Sequence, residues 1–109
     1  DAGMGELIRP ALYGSFHPIL PITPDTGEAI PWDVVGPICE SSDIFAKGLL
    51  LPPLKVNDVV AILDVGAYGS VMASNYNRRL LPAEVLIDNG QWKVIRRRQT
   101  LEDVMSLEL

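Results

Sequence analysis

The sequence predicts a mainly β domain, Greek-key or barrel-like, with short helical segments near residues 7–13 and 100–107. Three observations carry that prediction. Nine prolines and nine glycines in 109 residues, with β-branched residues frequent between them, favour many short strands and turns over a helical bundle. Asn89-Gly90 stands between two β-rich runs, the strongest short-range signal of a hairpin. Val59-Val60-Ala61-Ile62-Leu63-Asp64-Val65 is a short, nearly continuous apolar run of the kind expected of a strand covered on both faces. At this length the chain makes one domain, with residues enough for a core but far too few for a (β/α)8 barrel of roughly 250 residues.

Taken in order, Leu7 to Gly14 reads as one or two helical turns, with Pro10 near the first helical position and Gly14 free to end it. Arg9 and Tyr13 are four residues apart and share a face if that turn is helical, where a guanidinium fork and a phenol can grip one anion. By local pattern alone, Tyr13 in the core and Arg9 in solvent is the commoner arrangement. Ser15 to Ile30 is expected to form a hairpin whose tip is Thr23-Pro24-Asp25-Thr26-Gly27, a run rich in turn chemistry. His17 has no carboxylate or second histidine near it in sequence and is assigned a structural or surface role. Trp32-Asp33-Val34-Val35 reads as a strand, Ile44 to Leu54 as a connector broken by Pro52-Pro53. Gly66-Ala67-Tyr68-Gly69 follows the Val59–Val65 run; by default it is a tight turn, although two glycines beside a tyrosine also permit close backbone approach to a ligand. Across Asn89-Gly90, a two-residue loop pairs Ile87 with Trp92 and Val85 with Val94 and puts one apolar stripe on one face. Thr100 is the expected N-cap of a last helix, with Asp103 as a shorter partner in a capping box.

Between the second strand and the connector lies Gly36-Pro37-Ile38-Cys39-Glu40-Ser41-Ser42-Asp43, where the chain's one cysteine adjoins a carboxylate. Pro37 removes a backbone donor and restricts Gly36, which suits a sheet edge or rim, the usual place for chemistry. On spacing alone, an isolated cysteine is more often a small buried core residue than a catalyst. One cysteine excludes an internal disulfide framework, one cysteine with one histidine makes no zinc site of the usual spacing, and a reducing, cytoplasmic setting fits best. A net charge of −5 argues against a nucleic-acid surface. Arg96-Arg97-Arg98 follows a strand pattern that sends its side chains to opposite faces. No apolar run approaches the roughly 20 residues of a membrane-spanning helix. The start, Asp1-Ala2-Gly3, carries no initiator Met, and the chain reads as a domain or a piece of something larger.

Four ordered motifs give a resemblance over nearly the whole chain, from about Asp1 to Asp103. They are Asp1-Ala2-Gly3-Met4 with Leu7-Ile8-Arg9-Pro10-Ala11-Leu12-Tyr13; Val35-Gly36-Pro37-Ile38-Cys39-Glu40-Ser41; Gly66-Ala67-Tyr68-Gly69; and Met72-Ala73-Ser74-Asn75-Tyr76-Asn77. Together they resemble the C-terminal domain of the diaminopimelate decarboxylases, and Arg96-Arg97-Arg98 with Thr100 fits the tail of that family. Departures are Gly5-Glu6, where Asn and Asp are usual, and Ser42, where Gly is typical.

The resemblance implies a fold-type III pyridoxal 5'-phosphate enzyme. An N-terminal (β/α)8 barrel, absent from this chain, holds the cofactor on a lysine, and residues 1–109 are the C-terminal β domain that completes the site across a homodimer interface. The implied reaction converts meso-2,6-diaminopimelate to L-lysine and carbon dioxide in lysine biosynthesis, and the fragment alone is expected to be inactive. Residue by residue, the resemblance makes Cys39 the catalytic proton donor and Glu40 the group that binds the distal ammonium of the substrate. It makes Arg9 and Tyr13 the clamp on the distal carboxylate and Tyr68 a contact of both cofactor and substrate. No metal, nucleic acid or membrane partner is implied. The alternative is a non-catalytic β-barrel module for binding or subunit association derived from the same family; retention of all five site residues disfavours it. None of Lys47, Lys55 and Lys93 lies in a context resembling the cofactor lysine.

Overall fold

The computed structural model describes residues 1–23 and 26–109. Among the described residues, strands outnumber helical residues and every ladder is an antiparallel pair, so the mainly β expectation holds. The pairs are β1 (Ile19–Pro21) with β4 (Val60–Ile62), β2 (Ile30–Val35) with β3 (Ile44–Leu51), and β5 (Glu84–Asp88) with β6 (Gln91–Arg96). Three short α-helices, α1 (Arg9–Tyr13), α2 (Gly66–Val71) and α3 (Leu101–Met105), and a 3₁₀ turn at Tyr76–Arg78 link them.

Local chemistry explains the elements that were foreseen. Pro10 sits in the first turn of α1, and Gly14, at φ 64°, caps it by donating its N–H to the carbonyls of Arg9 and Pro10. Asn89 and Gly90 both take positive φ, 48° and 75°, which gives the loop the twist that matches β5 and β6. Ile87 faces Trp92 and Val85 faces Val94 as predicted. Thr100 accepts the N–H of Asp103 at 3.3 Å, and Asp103 accepts that of Thr100 at 2.8 Å, closing the capping box of α3. Arg96 pairs with Glu84 at 2.6 Å and Arg97 with Asp103 at 2.6 Å, so neighbouring arginines do part company.

Three expectations are corrected. Ser15 to Ile30 is not a hairpin: β1 pairs with β4, some 40 residues on, and β2 with β3, while the predicted turn residues Pro24-Asp25 lie outside the described residues. Residues Ile44–Leu51 are not a connector but the longest strand. Gly48, at φ 61°, lets two residues of β3 oppose Asp33, and its N–H donates to the Asp33 carboxylate at 2.9 Å, so the strand survives as a bulged one. Val59–Val65 is not covered on both faces either. Only three of its residues form β4, and Val59 is 63% exposed.

The core is small. Leu7, Ile19, Ile38 and Leu51 are its buried apolar residues, and His17 and Asp43 are buried with them. The radius of gyration is 15.5 Å, against about 13 Å for a compact chain of this length. Both faces of the β5–β6 hairpin stay open, with Ile87 and Trp92 each more than 70% exposed.

Candidate functional site

α1 places Arg9 and Tyr13 one helical turn apart. The Arg9 guanidinium carbon lies 5.3 Å from the centroid of the Tyr13 ring and 5.6 Å from that of Tyr68. Tyr68 arrives from α2, the element that replaces the tight turn expected at Gly66-Ala67-Tyr68-Gly69. Gly66 takes φ 62° at the start of α2, where nothing crowds it, whereas Gly69 is buried and a Cβ there would stand 1.9 Å from a methyl of Val65. Gly69 therefore serves close packing inside the domain rather than approach to a ligand. Tyr13 and Tyr68 are more than 60% exposed. Among the described residues Arg9 meets no carboxylate, so its cation rests against two aromatic rings with its N–H fork unpaired, in a position to take an anion from solvent.

Cys39 and Glu40 sit in the loop between β2 and β3. Cys39 is a free, exposed thiol, not a core residue. Around it the backbone closes on itself: Gly36 donates its N–H to the Asp43 carbonyl at 2.9 Å, Glu40 to that of Ile38 at 2.8 Å, and Asp43 to that of Glu40 at 3.0 Å. The Glu40 carboxylate is half-buried and unpaired among the described residues.

Two residues with parts in this geometry have no role in the sequence reading. Asp43 is 3% exposed and accepts the N–H groups of Met4 at 2.7 Å and Ile38 at 2.8 Å. Its carboxylate ties the cysteine loop to the N-terminal segment. Gly3 and Gly36 make the room, since a Cβ on Gly36 would lie 2.1 Å from an Asp43 oxygen and one on Gly3 2.9 Å. The signal in the sequence is an acid closing a segment that opens on Gly-Pro. The second residue is Asn77, whose side-chain Nδ2 lies 3.4 Å from Cys39 Sγ. Its signal was the asparagine pair inside Ser74-Asn75-Tyr76-Asn77, whose residues suit left-handed turns.

The structure therefore gathers Arg9, Tyr13 and Tyr68 into one cluster and Cys39 with Asn77 into another. No hydrogen bond, ion pair or ring contact joins the two among the described residues. His17 belongs to neither: it is buried, with Nδ1 3.2 Å from the Leu63 carbonyl, which makes its role structural rather than one of the surface. Lys47, Lys55 and Lys93 are all exposed.

Comparison with known proteins covers the chain from end to end. The family of pyridoxal-dependent decarboxylases, through its C-terminal sheet domain, matches residues 1–66. A diaminopimelate decarboxylase of Helicobacter pylori is 51% identical over 109 residues, which is 99% of this chain and 27% of that protein. The crystal structure of the H. pylori enzyme complexed with L-lysine superposes with a TM-score of 0.92 at 50% identity, over 99% of this chain and 27% of that one. The diaminopimelate decarboxylase from M. jannaschii in co-complex with L-lysine gives a TM-score of 0.95 at 40% identity, over 100% of this chain and 25% of that one. The chain thus spans about a quarter of the length of the curated relatives it matches.

Proposed function

Because this chain belongs to the pyridoxal-dependent decarboxylase family, as its C-terminal sheet domain, we propose that residues 1–109 are the C-terminal β domain of a diaminopimelate decarboxylase. The larger protein would convert meso-2,6-diaminopimelate to L-lysine and carbon dioxide in the cytoplasm. The observation that carries this reading is the unpaired Arg9 guanidinium between the rings of Tyr13 and Tyr68. A substrate whose distal end is an intact amino acid needs an anion clamp as well as a cation partner. A decarboxylase of simple basic amino acids needs only the second.

Pyridoxal phosphate, when bound, supplies the electron sink that lets the carboxylate leave as carbon dioxide. The residues here fit a supporting part in its site. The Tyr68 hydroxyl is open and unpaired among the described residues, so it can donate to an oxyanion of cofactor or substrate. The lysine that holds the cofactor belongs to the rest of the protein. Arg9 and Tyr13 bind the distal carboxylate, Glu40 the distal ammonium, and Cys39 delivers the proton to the carbon that has lost carbon dioxide. A thiol carries a proton that it can give up to carbon, which suits it to serve as the acid. That Cys39 makes no direct contact with the Arg9 cluster among the described residues accords with a site shared across a homodimer, in which Cys39 and Glu40 would act on the partner subunit's cofactor. An exposed thiol that must stay reduced also suits the cytoplasm.

Steady-state kinetics on the full-length enzyme test the assignment, with carbon dioxide release and lysine formation followed separately. Cys39→Ala is expected to lower kcat by about 10²–10⁴ with little change in KM, since a proton donor acts only after carbon dioxide has left. Arg9→Ala is expected to raise KM, at a cost on the order of 2–4 kcal/mol in substrate binding, because the carboxylate is then left without its cation. Normal turnover and product stereochemistry in Cys39→Ala would remove this thiol from the mechanism and favour a non-catalytic association module.

A further inference from the structure

We propose that Asn77 is the residue that positions the Cys39 thiol, its side-chain amide donating to Sγ so that the acidic proton faces the open side of the loop. This rests on the reading of Cys39 as the proton donor. The geometry comes from two separately braced pieces of chain. On one side, Cys39 is held between the buried Ile38, whose N–H binds the Asp43 carboxylate, and Glu40, whose carbonyl accepts the Asp43 N–H. On the other, Asn77 stands at φ 54° and ψ 29°, followed by Arg78 at φ 55°. Two successive left-handed residues other than glycine are uncommon, and asparagine is one of the few side chains that tolerate the conformation.

That turn is fixed from both ends. Arg78 donates its N–H to the Asn75 carbonyl at 2.7 Å, and Asn75 donates its side-chain N–H to the Arg79 carbonyl at 2.7 Å. Asn75 is joined in turn to Gln99, which follows β6 and also accepts the Leu81 N–H at 3.0 Å. The Arg79 N–H donates to the Tyr76 carbonyl at 3.2 Å, closing a turn whose two central residues are Asn77 and Arg78. The same left-handed conformation brings the Asn77 amide to 3.4 Å from Cys39 Sγ.

An amide N–H aimed at sulfur leaves the S–H no acceptor on that side, so its proton points outward. When it moves, the S–H bond breaks, the electron pair of the substrate carbon forms the new C–H bond, and the S–H pair stays on sulfur as a thiolate. The same amide then donates to that thiolate, and a hydrogen bond to a charged group is worth more than one to a neutral group. Other charged groups on the two pieces are Glu40, Asp43, Arg78 and Arg79, the last with its guanidinium 3.7 Å from Glu6. The Asp43 carboxylate is held by the Met4 and Ile38 amides and the Arg78 guanidinium by Glu108 at 2.7 Å.

Asn77→Gly in the full-length enzyme tests the proposal, because glycine keeps the left-handed backbone at no cost and removes only the amide. The expected result is a kcat lowered about tenfold with KM changed less than about twofold, the loss of one hydrogen bond to a charged group. Added to Cys39→Ala, the same change is expected to lower kcat no further. A second readout does not pass through turnover. The pH midpoint for alkylation of Cys39 by iodoacetamide, followed by mass spectrometry of its peptide, is expected to rise in Asn77→Gly, since the thiolate loses a donor. Wild-type kcat or an unmoved midpoint in Asn77→Gly, with Cys39→Ala still crippled, overturns the role of Asn77 and leaves the acid assignment standing. Undiminished turnover in Cys39→Ala overturns the acid assignment and this role together.

Discussion

Asp43 shows how much of a functional loop can hang on one buried group that touches no substrate. Its carboxylate satisfies the amides of Met4 and Ile38 while its backbone closes the turn after Cys39 and Glu40. Asp43→Ala leaves both N–H groups without an acceptor inside the domain, and each orphaned donor costs roughly 1–3 kcal/mol. The expected loss in the intact protein is therefore about 2–6 kcal/mol, read from the urea midpoint at unchanged slope. Gly36→Ala is expected to be as damaging by the opposite route, because its new methyl would displace the carboxylate that Asp43→Ala removes. If Gly36→Ala leaves the midpoint untouched, the packing of that carboxylate against Gly36 is not what holds the loop.

At the level of elements, α3 offers a test of local electrostatics. Arg97 grips both oxygens of Asp103, at 2.6 and 2.7 Å, and the Thr100 N–H binds the same carboxylate, so Asp103 is held well below the usual carboxylate range. A depressed folded-state pKa contributes stability above the unfolded value of about 3.9, and that contribution is lost as pH falls below it through the folded value. In an NMR titration, Asp103 is accordingly expected to remain ionised, and α3 intact, from neutral pH down through about pH 4. Thr100→Ala should cost α3 about 1 kcal/mol, seen as faster amide exchange at residues 101–105. The devices of this kind were legible in the sequence because they close over a few residues. The Asn89-Gly90 turn, the register of Ile87 on Trp92, the Gly14 cap and the Thr100 box each follow from side chains within a turn of one another. The β1–β4 pairing was not legible, since nothing in Ile19–Pro21 names a partner some 40 residues away. The run Ile44–Leu51 hides its strand for a related reason: Pro52-Pro53 suggests a connector, and the pairing with β2, bulged opposite Asp33, is set only in three dimensions. The candidate site divides in the same way. Arg9 and Tyr13 share a helical turn and could be read together, whereas Tyr68 beside Arg9, and Asn77 beside Cys39, are products of tertiary packing alone.

For the molecule as a whole, the accessible surface is 8069 Å², whereas a compact chain of 11.9 kDa exposes roughly 5,900 Å². The excess, roughly 2,000 Å², is as large as a specific protein–protein interface, and a sequence that is 48% hydrophobic makes much of it apolar. Expressed alone, the 109-residue chain is therefore expected to self-associate, with a mass by light scattering that climbs with concentration; a strict monomer throughout would count against covered faces in the larger protein. The β5–β6 hairpin turns that expectation into a matter of reaction order. Val85, Ile87, Trp92 and Val94 are about half exposed or more, and each of its two strands pairs only with the other among the described residues, so two such hairpins can join edge to edge. Meeting another hairpin is a second-order event that slows with the square of dilution. Docking against a cover tethered on the same polypeptide is first-order and indifferent to dilution. A newly made chain that carries its own cover wins that race as long as the effective concentration of the tethered cover exceeds that of other chains, while a chain without one has no competing step, and the soluble yield of the 109-residue chain should fall as its rate of synthesis rises.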